Sequence, residues 1–566
     1  MNLNNDETRS IEDEVDLHLY ELLDESIPRY KFIYHMNLVY IDYVIDKNLW
    51  FSTSEKHFLF SLSYSTFLAY KKLIEEDVFE YKFDKDLYKY CYHFFMKGMQ
   101  YSLLCEEFPG VYSEVKKVNF DDQRRTISFN EVREIPRKFN EFISKYTIRK
   151  ALSYTLQMAS GQLSDKDDEE AAVELSKLYF HFWSENMLYE DFEPYSRLDW
   201  GGIENFFILA AMRRFIKLYR ADFNIEKFGS HKMMIIISPK GKERIKEFTL
   251  TKDQEIIDKV LEDFIYKPLG KNLFPKSSVS DAPLIITKDG YIIVNPLVLL
   301  NNDSGETRYL NYLRKYDNNR HQRIKDKLKE RVIPIIEHLC KLKYPNTTVV
   351  TNFKVPIPNK RNQSRELDIL VVDESSGFVL YIEVKHFFNP MSYSEMRSID
   401  SQLKEALKKT TAQLDAIRHN WELIKDRFEV RTNINRIESI ILSHHYIGCD
   451  VAIHDSVPIV NTQGIFESIG ESNSIQELYE SIREFDQIYS SIKMISRNIE
   501  FEFAKFKFEL KMEALNPEFE TLFLRSYRNN IRDTIDLKEK KIFQNYEDYS
   551  RALLTKLQSE SEDTYI

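Results

Sequence analysis

Asp368 stands inside one apolar run, ELDILVVD, and fifteen residues later Glu383-Val384-Lys385 closes a second, FVLYIEVK. Side chains alternate across a strand, so Glu383 and Lys385 share one face while Ile382 and Val384 take the other. With Glu374-Ser-Ser-Gly377 as a four-residue loop, the two runs fold as a hairpin in which Asp373 faces Phe378. That register sets Asp368 opposite Glu383 and Glu366 opposite Lys385, with Cβ atoms about 5 Å apart. Like charges face to face destabilise a sheet unless a cation or a shifted protonation state offsets them. Two hard oxygen donors on rigid strands suit Mg²⁺ or Mn²⁺, with water and a substrate phosphate completing the shell. Lys385, one pleat away, is placed to orient or help deprotonate a water and to offset charge on a pentavalent phosphorane.

Glu-x-Lys alone carries little in a chain that is 30% charged. It recurs as Glu80-Tyr-Lys82, Glu114-Val-Lys116 and Glu509-Leu-Lys511, where helical or surface positions account for it. The competing structural reading of Glu366, Glu383 and Lys385 is a salt-bridge ladder on a solvent-facing side of the sheet. His386, His444, His445 and His454 fit no standard zinc spacing and read as ordinary polar or core histidines.

Asp368 followed at this spacing by Glu383-Val-Lys385 in an apolar strand resembles the PD-(D/E)xK nuclease superfamily. More narrowly, Glu366-Leu-Asp368, the Gly377-Phe-Val turn and Ile382-Glu-Val-Lys385 resemble its nuclease-related (NERD) and restriction-endonuclease-like branch. The resemblance covers roughly residues 320 to 480, under a third of the chain. It implies a mixed sheet flanked by helices, a divalent metal held by Asp368, Glu383 and the Val384 carbonyl, and Lys385 as catalytic base or charge stabiliser. It also implies an acidic residue from the preceding helix. Glu330 in LKERV takes that position and Glu337, two turns later on nearly the same face, is the alternative, with Pro334 leaving the helical phase open between them. Some relatives carry a glutamine in the following helix with a tyrosine four residues on; here Gln413 is suitably placed and Ile417 replaces the tyrosine.

These residues need elements to position them. The segment 305–480 reads as αβββαβ: a helix through RYLNYLRKYDNNRHQRIKDKLKERVIPIIEHLCKL, strands at TTVVTNFKVPI, ELDILVVD and FVLYIEVKHFF, a long helix, then strands at RIESIILSHHYIG and VPIVN and a helix at GIFESI. Upstream, 1–228 reads as a helical domain with aromatic and aliphatic positions recurring at three and four residues, a turn at FPGVYSEV, and an acidic helix start near LSDKDDEEAAVEL whose Ser and Asp residues suit an N-cap. Residues 229–304 read as a small α+β connector holding a strand at MMIIIS and a hairpin turning at Asp289-Gly290. Residues 481–566 read as a helical C-terminal extension with an acidic tail. The expected fold class is therefore α+β and multidomain, with a largely helical N-terminal region and a restriction-endonuclease-like core.

The whole chain sets the bounds on function. Its 566 residues, 43% hydrophobic and 14% aromatic, are enough for several packed cores and exclude global disorder. Cys91, Cys105, Cys340 and Cys449 show no paired spacing, so a disulfide framework or zinc ribbon is not expected and reduced thiols of a cytoplasmic protein are. The acidic, polar start is unlike a secretory signal, and no uninterrupted apolar run reaches the roughly 18 residues of a membrane span. A net charge of −11 excludes a uniformly basic nucleic-acid binder, yet Arg308 to Arg365 holds fifteen Lys/Arg against four acids. Such a segment suits sequence-independent contact with phosphates.

The expected function is a metal-dependent endonuclease hydrolysing phosphodiester bonds, double-stranded DNA favoured, in a bacterial defence role against phage or foreign DNA. A homodimer is an expected assembly, because double-strand cutting usually takes two sites. The helical N-terminal region is the expected seat of a protein partner. The alternatives are an RNA-cutting toxin of the same fold, or a binding or scaffold protein whose nuclease fold is vestigial.

Overall fold

The computed structural model describes residues 5–46, 55–112, 116–131, 166–184, 191–192, 195–222, 224–245, 253–271, 273–300, 305–357, 363–387, 393–443, 457–491 and 494–515. The N-terminal region is helical as its periodicity predicts. Helix α2 (Arg29–Asp46) packs on α3 (Glu55–Lys72) and α4 (Lys85–Tyr112), and α1 (Asn5–Leu22) packs on α4. The burial of α2 follows from its sequence, since almost every residue from Tyr30 to Ile41 is apolar or aromatic. Within the turn expected at 108–115, α4 continues through Pro109 and ends at Tyr112, and residues 113–115 lie outside the described residues. Proline there forfeits one hydrogen bond near a helix end, and burial of Phe108 and Gly110 carries the final turn.

Helix α5 (Asp168–Ser184) starts where the acidic stretch predicts, with Asp167 Oδ1 accepting from the backbone N–H groups of Glu169 and Glu170 at 2.9 and 2.8 Å. It packs on α6 (Arg197–Arg220). In the connector, β3 (Ile235–Ile237), β4 (Leu284–Ile286) and β5 (Ile292–Val294) form one sheet in the order β3-β5-β4, and Gly290 takes φ +85° at the expected turn. Helix α7 (Gln254–Phe264) presents Phe264 to Trp200, their rings stacked at 4.0 Å.

The helix expected after residue 305 is two helices, α8 (Gly305–Tyr316) and α9 (Asn318–Lys343), because Asp317 leaves helical geometry and caps α9 by accepting from Arg320 N–H. Pro334 lies inside α9 without ending it. Three cations of the basic segment serve this junction rather than its surface. Arg308 pairs with Glu204 in the core, Lys315 pairs with Asp281, and Arg320 pairs with Asp263 at 3.2 Å while lying over the rings of Tyr195 and Tyr309.

The next sheet has the order β6-β7-β8-β9-β10. Strands β6 (Thr347–Pro356), β7 (Ser364–Asp373) and β8 (Phe378–Lys385) are antiparallel neighbours, whereas β9 (Arg436–Ser443) and β10 (Ile459–Asn461) add in parallel. Helices α10 (Tyr393–His419) and α11 (Trp421–Phe428) connect β8 to β9, as a parallel pair requires. One face packs Ile369, Val371, Leu380 and Ile382 with Ile333 and Ile336 of α9 and with α13 (Ile475–Ser491), while the other packs Leu370, Val372, Val379 and Tyr381 with Ala416 and Ile417 of α10. The αβββαβ order is present, completed by α12 (Thr462–Glu471).

The C-terminal expectation needs correcting. The helix holds to Ser491, but β11 (Met494–Phe503) and β12 (Phe506–Leu515) form a hairpin. Their strict alternation of apolar and charged residues, IEFEF and FKFELKM, is a strand period and cannot give a helix one apolar stripe. This hairpin joins β1 (Lys116–Asp121) and β2 (Thr126–Glu131) in a sheet of order β1-β2-β12-β11, so the N-terminal region expected to be helical also carries strands, including a short pair at Asp191–Phe192 and Tyr195–Ser196. Residues 516–566, including the acidic tail, lie outside the described residues. No helix among the described residues is long and apolar enough to cross a membrane.

Candidate active site

The hairpin that carries the candidate residues is fixed by its loop. Asp373 Oδ1 accepts from the N–H and hydroxyl of Ser375, its carbonyl accepts from Gly377 N–H at 2.9 Å, and Gly377 takes φ +70°. A Cβ at Gly377 would come within 2.5 Å of the Asn433 carbonyl oxygen, so only glycine closes this turn against the start of β9. The register is the expected one, Val372 opposite Val379 and onward to Ile369 opposite Ile382.

The ladder stops there. Asp368 and Glu383, next in register, are not a ladder pair, and Glu366 pairs across with Lys354 rather than with Lys385. Two features explain the break. Asn352 of β6, level with Asp368, takes φ +50°, and the side-chain alternation of β6 and β7 changes phase here. Val350 and Phe353 share one core, as do Leu367 and Leu370. Asp368 turns into the gap that results, where its Oδ2 accepts from Val384 N–H at 2.8 Å. The carboxylate replaces a backbone carbonyl as ladder acceptor, a charge-assisted bond on the residue adjoining Glu383.

Glu383 is fully buried and Asp368 is 1% exposed, so neither belongs to a solvent-facing ladder. Four side chains meet the Glu383 carboxylate. Lys385 Nζ lies 2.7 Å and Lys409 Nζ 3.0 Å from Oε1, while Oε2 accepts from Gln413 Nε2 at 3.0 Å and from the Tyr381 hydroxyl. Burial works to raise the Glu383 pKa, but the ammonium groups of Lys385 and Lys409 and the hydrogen bonds outweigh it and hold the carboxyl down at about 2. Tyr381 moves the other way: burial, then the charges of Glu383 and Asp368, push its phenol far above the ordinary range, so it remains a donor. Gln413 also donates to the Glu366 carbonyl at 3.0 Å, which fixes its amide across the gap between β7 and β8. Its Oε1 is buried with no hydrogen-bond partner among the described residues.

The helix carboxylates behave differently. Glu337 is committed to Lys341 Nζ at 2.6 Å and Thr351 Oγ1 at 3.2 Å, on α9 and β6. Glu330 lies on α9, and its side chain is outside the described residues. His444, His445, His454 and Cys449 are outside them as well. Among the described residues no group of three or more His, Cys, Asp or Glu side chains is placed to hold a metal ion. The donor chemistry present is two buried carboxylates and the Val384 carbonyl at one level of the sheet, and it suits a hard divalent cation that keeps several waters. Glu383 Oε1 would have to exchange an ammonium for that cation.

Sequence reasoning placed Asp368, Glu383, Lys385 and Gln413 together and missed Lys409 and Tyr381. Both had a signal. Lys409 precedes Gln413 by four residues and so shares its helix face, and Tyr381 precedes Glu383 by two and so shares its strand face. Compared with known families, curated proteins and solved structures, the chain has no match.

Proposed function

We propose that this chain is a metal-dependent nuclease acting on DNA, with Asp368, Glu383 and Lys385 at its centre and Glu330 as the contributing helix carboxylate. The observation that carries the reading is a pair of carboxylates buried where the β7–β8 ladder opens, with the Lys385 ammonium 2.7 Å from Glu383. Buried acids cost stability unless compensated, and a structural core has no need to break its own ladder to accommodate them.

In this reading Asp368, Glu383 and the Val384 carbonyl hold Mg²⁺ or Mn²⁺, which when bound supplies Lewis acidity and a water of lowered pKa. Gln413 and Tyr381 keep the Glu383 carboxylate ionised and oriented. Lys385, an ammonium, turns from Glu383 to the attacking water, orients it and offsets the charge gathering on the phosphate as the water oxygen bonds to phosphorus and the ester oxygen leaves, the water's proton passing to solvent. Lys409, about two-fifths exposed, faces the scissile phosphate and offsets its gathering negative charge. Arg323, Lys327 and Lys354 are exposed members of the basic segment and suit backbone contacts without base readout.

The substrate is assigned by incubating the full chain with supercoiled plasmid and, separately, total RNA, each with Mg²⁺ or with EDTA. Mg²⁺-dependent nicking of plasmid with RNA left intact is the expected result. Selective loss of RNA would move the assignment to an RNA-cutting enzyme.

The same geometry favours a second reading in one respect. A carboxylate already neutralised by two lysines is a stable ionic knot, as a scaffold protein with a vestigial site would keep. Silence of the chain on both substrates with either metal is what that reading expects.

A further inference from the structure

A cavity of about 1110 Å³ opens in the helical region, remote in sequence from Asp368 and Glu383, between α2, the chain around residue 82, the start of α5, α6 and the turn before β3. Its walls combine two chemistries. Tyr34, Tyr81 and Phe83 bring aromatic surface, and Tyr81 and Phe83 are 53% and 49% exposed, unusual for rings that a packed domain could have covered. Arg213, Arg214, Lys217 and Lys232 bring four cations.

The acids at the rim do not balance those cations evenly. Glu169 pairs with Arg213, Asp168 pairs with Lys217 and Arg220, and Asp167 caps α5. Arg214 is held by neutral groups only, its Nε donating to the Met234 carbonyl at 3.2 Å and its Nη1 to the Ala210 carbonyl at 3.1 Å. Among the described residues no carboxylate pairs with Arg214 or with the exposed Lys232. A guanidinium withdrawn from water without an anion is costly, and here burial, with Arg213 beside it, brings its pKa down to about 10. The two carbonyls fix the fork while satisfying only part of its donors, as a preorganised oxyanion site does.

A second recess of about 470 Å³ shares Phe83 and His231 with the first and is walled by Tyr88, Tyr92, Asp42 and Asp46. The two recesses adjoin at Phe83 and His231, the first carrying the cations and the exposed rings and the second Asp42 and Asp46, where Asp42 Oδ2 also accepts from the Tyr88 hydroxyl at 2.6 Å. An inorganic anion would use only the cations. We propose that this cavity binds a nucleoside phosphate, with the phosphate on Arg214 and Lys232, the base against Tyr81 and Phe83, and base N–H groups directed to Asp42 and Asp46. Its size is that of a small-molecule site, and stacking plus a rigid guanidinium is the recognition such a ligand needs.

Equilibrium dialysis of the full chain in EDTA, which silences any metal-dependent site, tests this with AMP, ATP, GTP and pyrophosphate as probes. Saturable nucleotide binding at or below about 1 mM is expected, weakened at least about tenfold in Arg214→Gln, Lys232→Glu and Tyr81→Ala. Tyr81 and Lys232 are exposed, so their variants report even if Arg214→Gln fails to fold. Binding of none of the three nucleotides would overturn the proposal. So would pyrophosphate binding as tightly as ATP, or nucleotide binding unchanged in Lys232→Glu and Tyr81→Ala.

Discussion

Glu383 concentrates the chemistry of the candidate site, because it is fully buried yet ionised by two lysines, a glutamine and a tyrosine. Lys385 and Lys409 share its Oε1 but differ in exposure, at 27% and 43%, and in origin, strand against helix. Lys385→Ala should lower cleavage by roughly 10²–10³-fold, the range for loss of a group that stabilises charge developing in the transition state. Lys409→Ala, which removes only charge, should cost less, and single-turnover cleavage of a labelled duplex separates the two. Glu383 also makes stability depend on pH. Its carboxyl sits at about 2 in the folded chain against an ordinary 4.5, so its contribution is fully present above pH 4.5 and is lost as pH falls toward 2. Glu383→Gln should therefore be less stable than wild type at neutral pH and lose less across that window, read from urea midpoints. Asp368, Glu383 and Lys385 were legible in the sequence because charge inside an apolar strand is anomalous. Lys409 had only the weaker signal of sharing a helix face with Gln413, since a lysine in the charged run LKEALKKTT carries no such contrast.

The strand elements show why a correct register did not yield the correct contact. The loop from Asp373 to Gly377 fixes the hairpin, and alternation fixes which residues line each face, so pairing was predictable as far as Ile369 and Ile382. Beyond it, the phase change beside Asn352 depends on β6, a strand from elsewhere in the chain, and no local pattern in ELDILVVD announces it. Asparagine tolerates left-handed backbone, whereas β-branched residues do not. Asn352→Val should destabilise by about 1–3 kcal/mol while Asn352→Gly stays near wild type, measured by urea denaturation. The C-terminal hairpin was legible and misread: Ile499 to Phe503 and Phe506 to Met512 each alternate strictly, but a chain rich in amphipathic helices invites the helical period. The pair β1–β2 could not be placed from its own residues, because its sheet is completed by strands nearly four hundred residues later.

At the scale of the molecule, the basic segment that suggested a nucleic-acid surface does two jobs. Arg308, Lys315 and Arg320 are spent on Glu204, Asp281 and Asp263, locking α8 and α9 to the helical region and connector, while Arg323, Lys327 and Lys354 remain exposed. Composition counts both groups alike, so only the fold separates cations withdrawn into ion pairs from those at the surface. Removing one partner of a buried pair strands the other, and Arg308→Ala should cost about 3–5 kcal/mol by urea unfolding. Lys327→Ala should leave stability within about 0.5 kcal/mol. The exposed cations, the opened ladder and the buried acid pair converge on phosphodiester hydrolysis as the central claim. Its most direct measurement is Mg²⁺-dependent nicking of supercoiled plasmid by the full chain beside the Asp368→Ala, Lys385→Ala double variant, each with an EDTA control. Nicking by the wild type that vanishes in the variant and in EDTA is predicted; equal nicking by both proteins, or none by a folded wild type with Mg²⁺ or Mn²⁺, would contradict it.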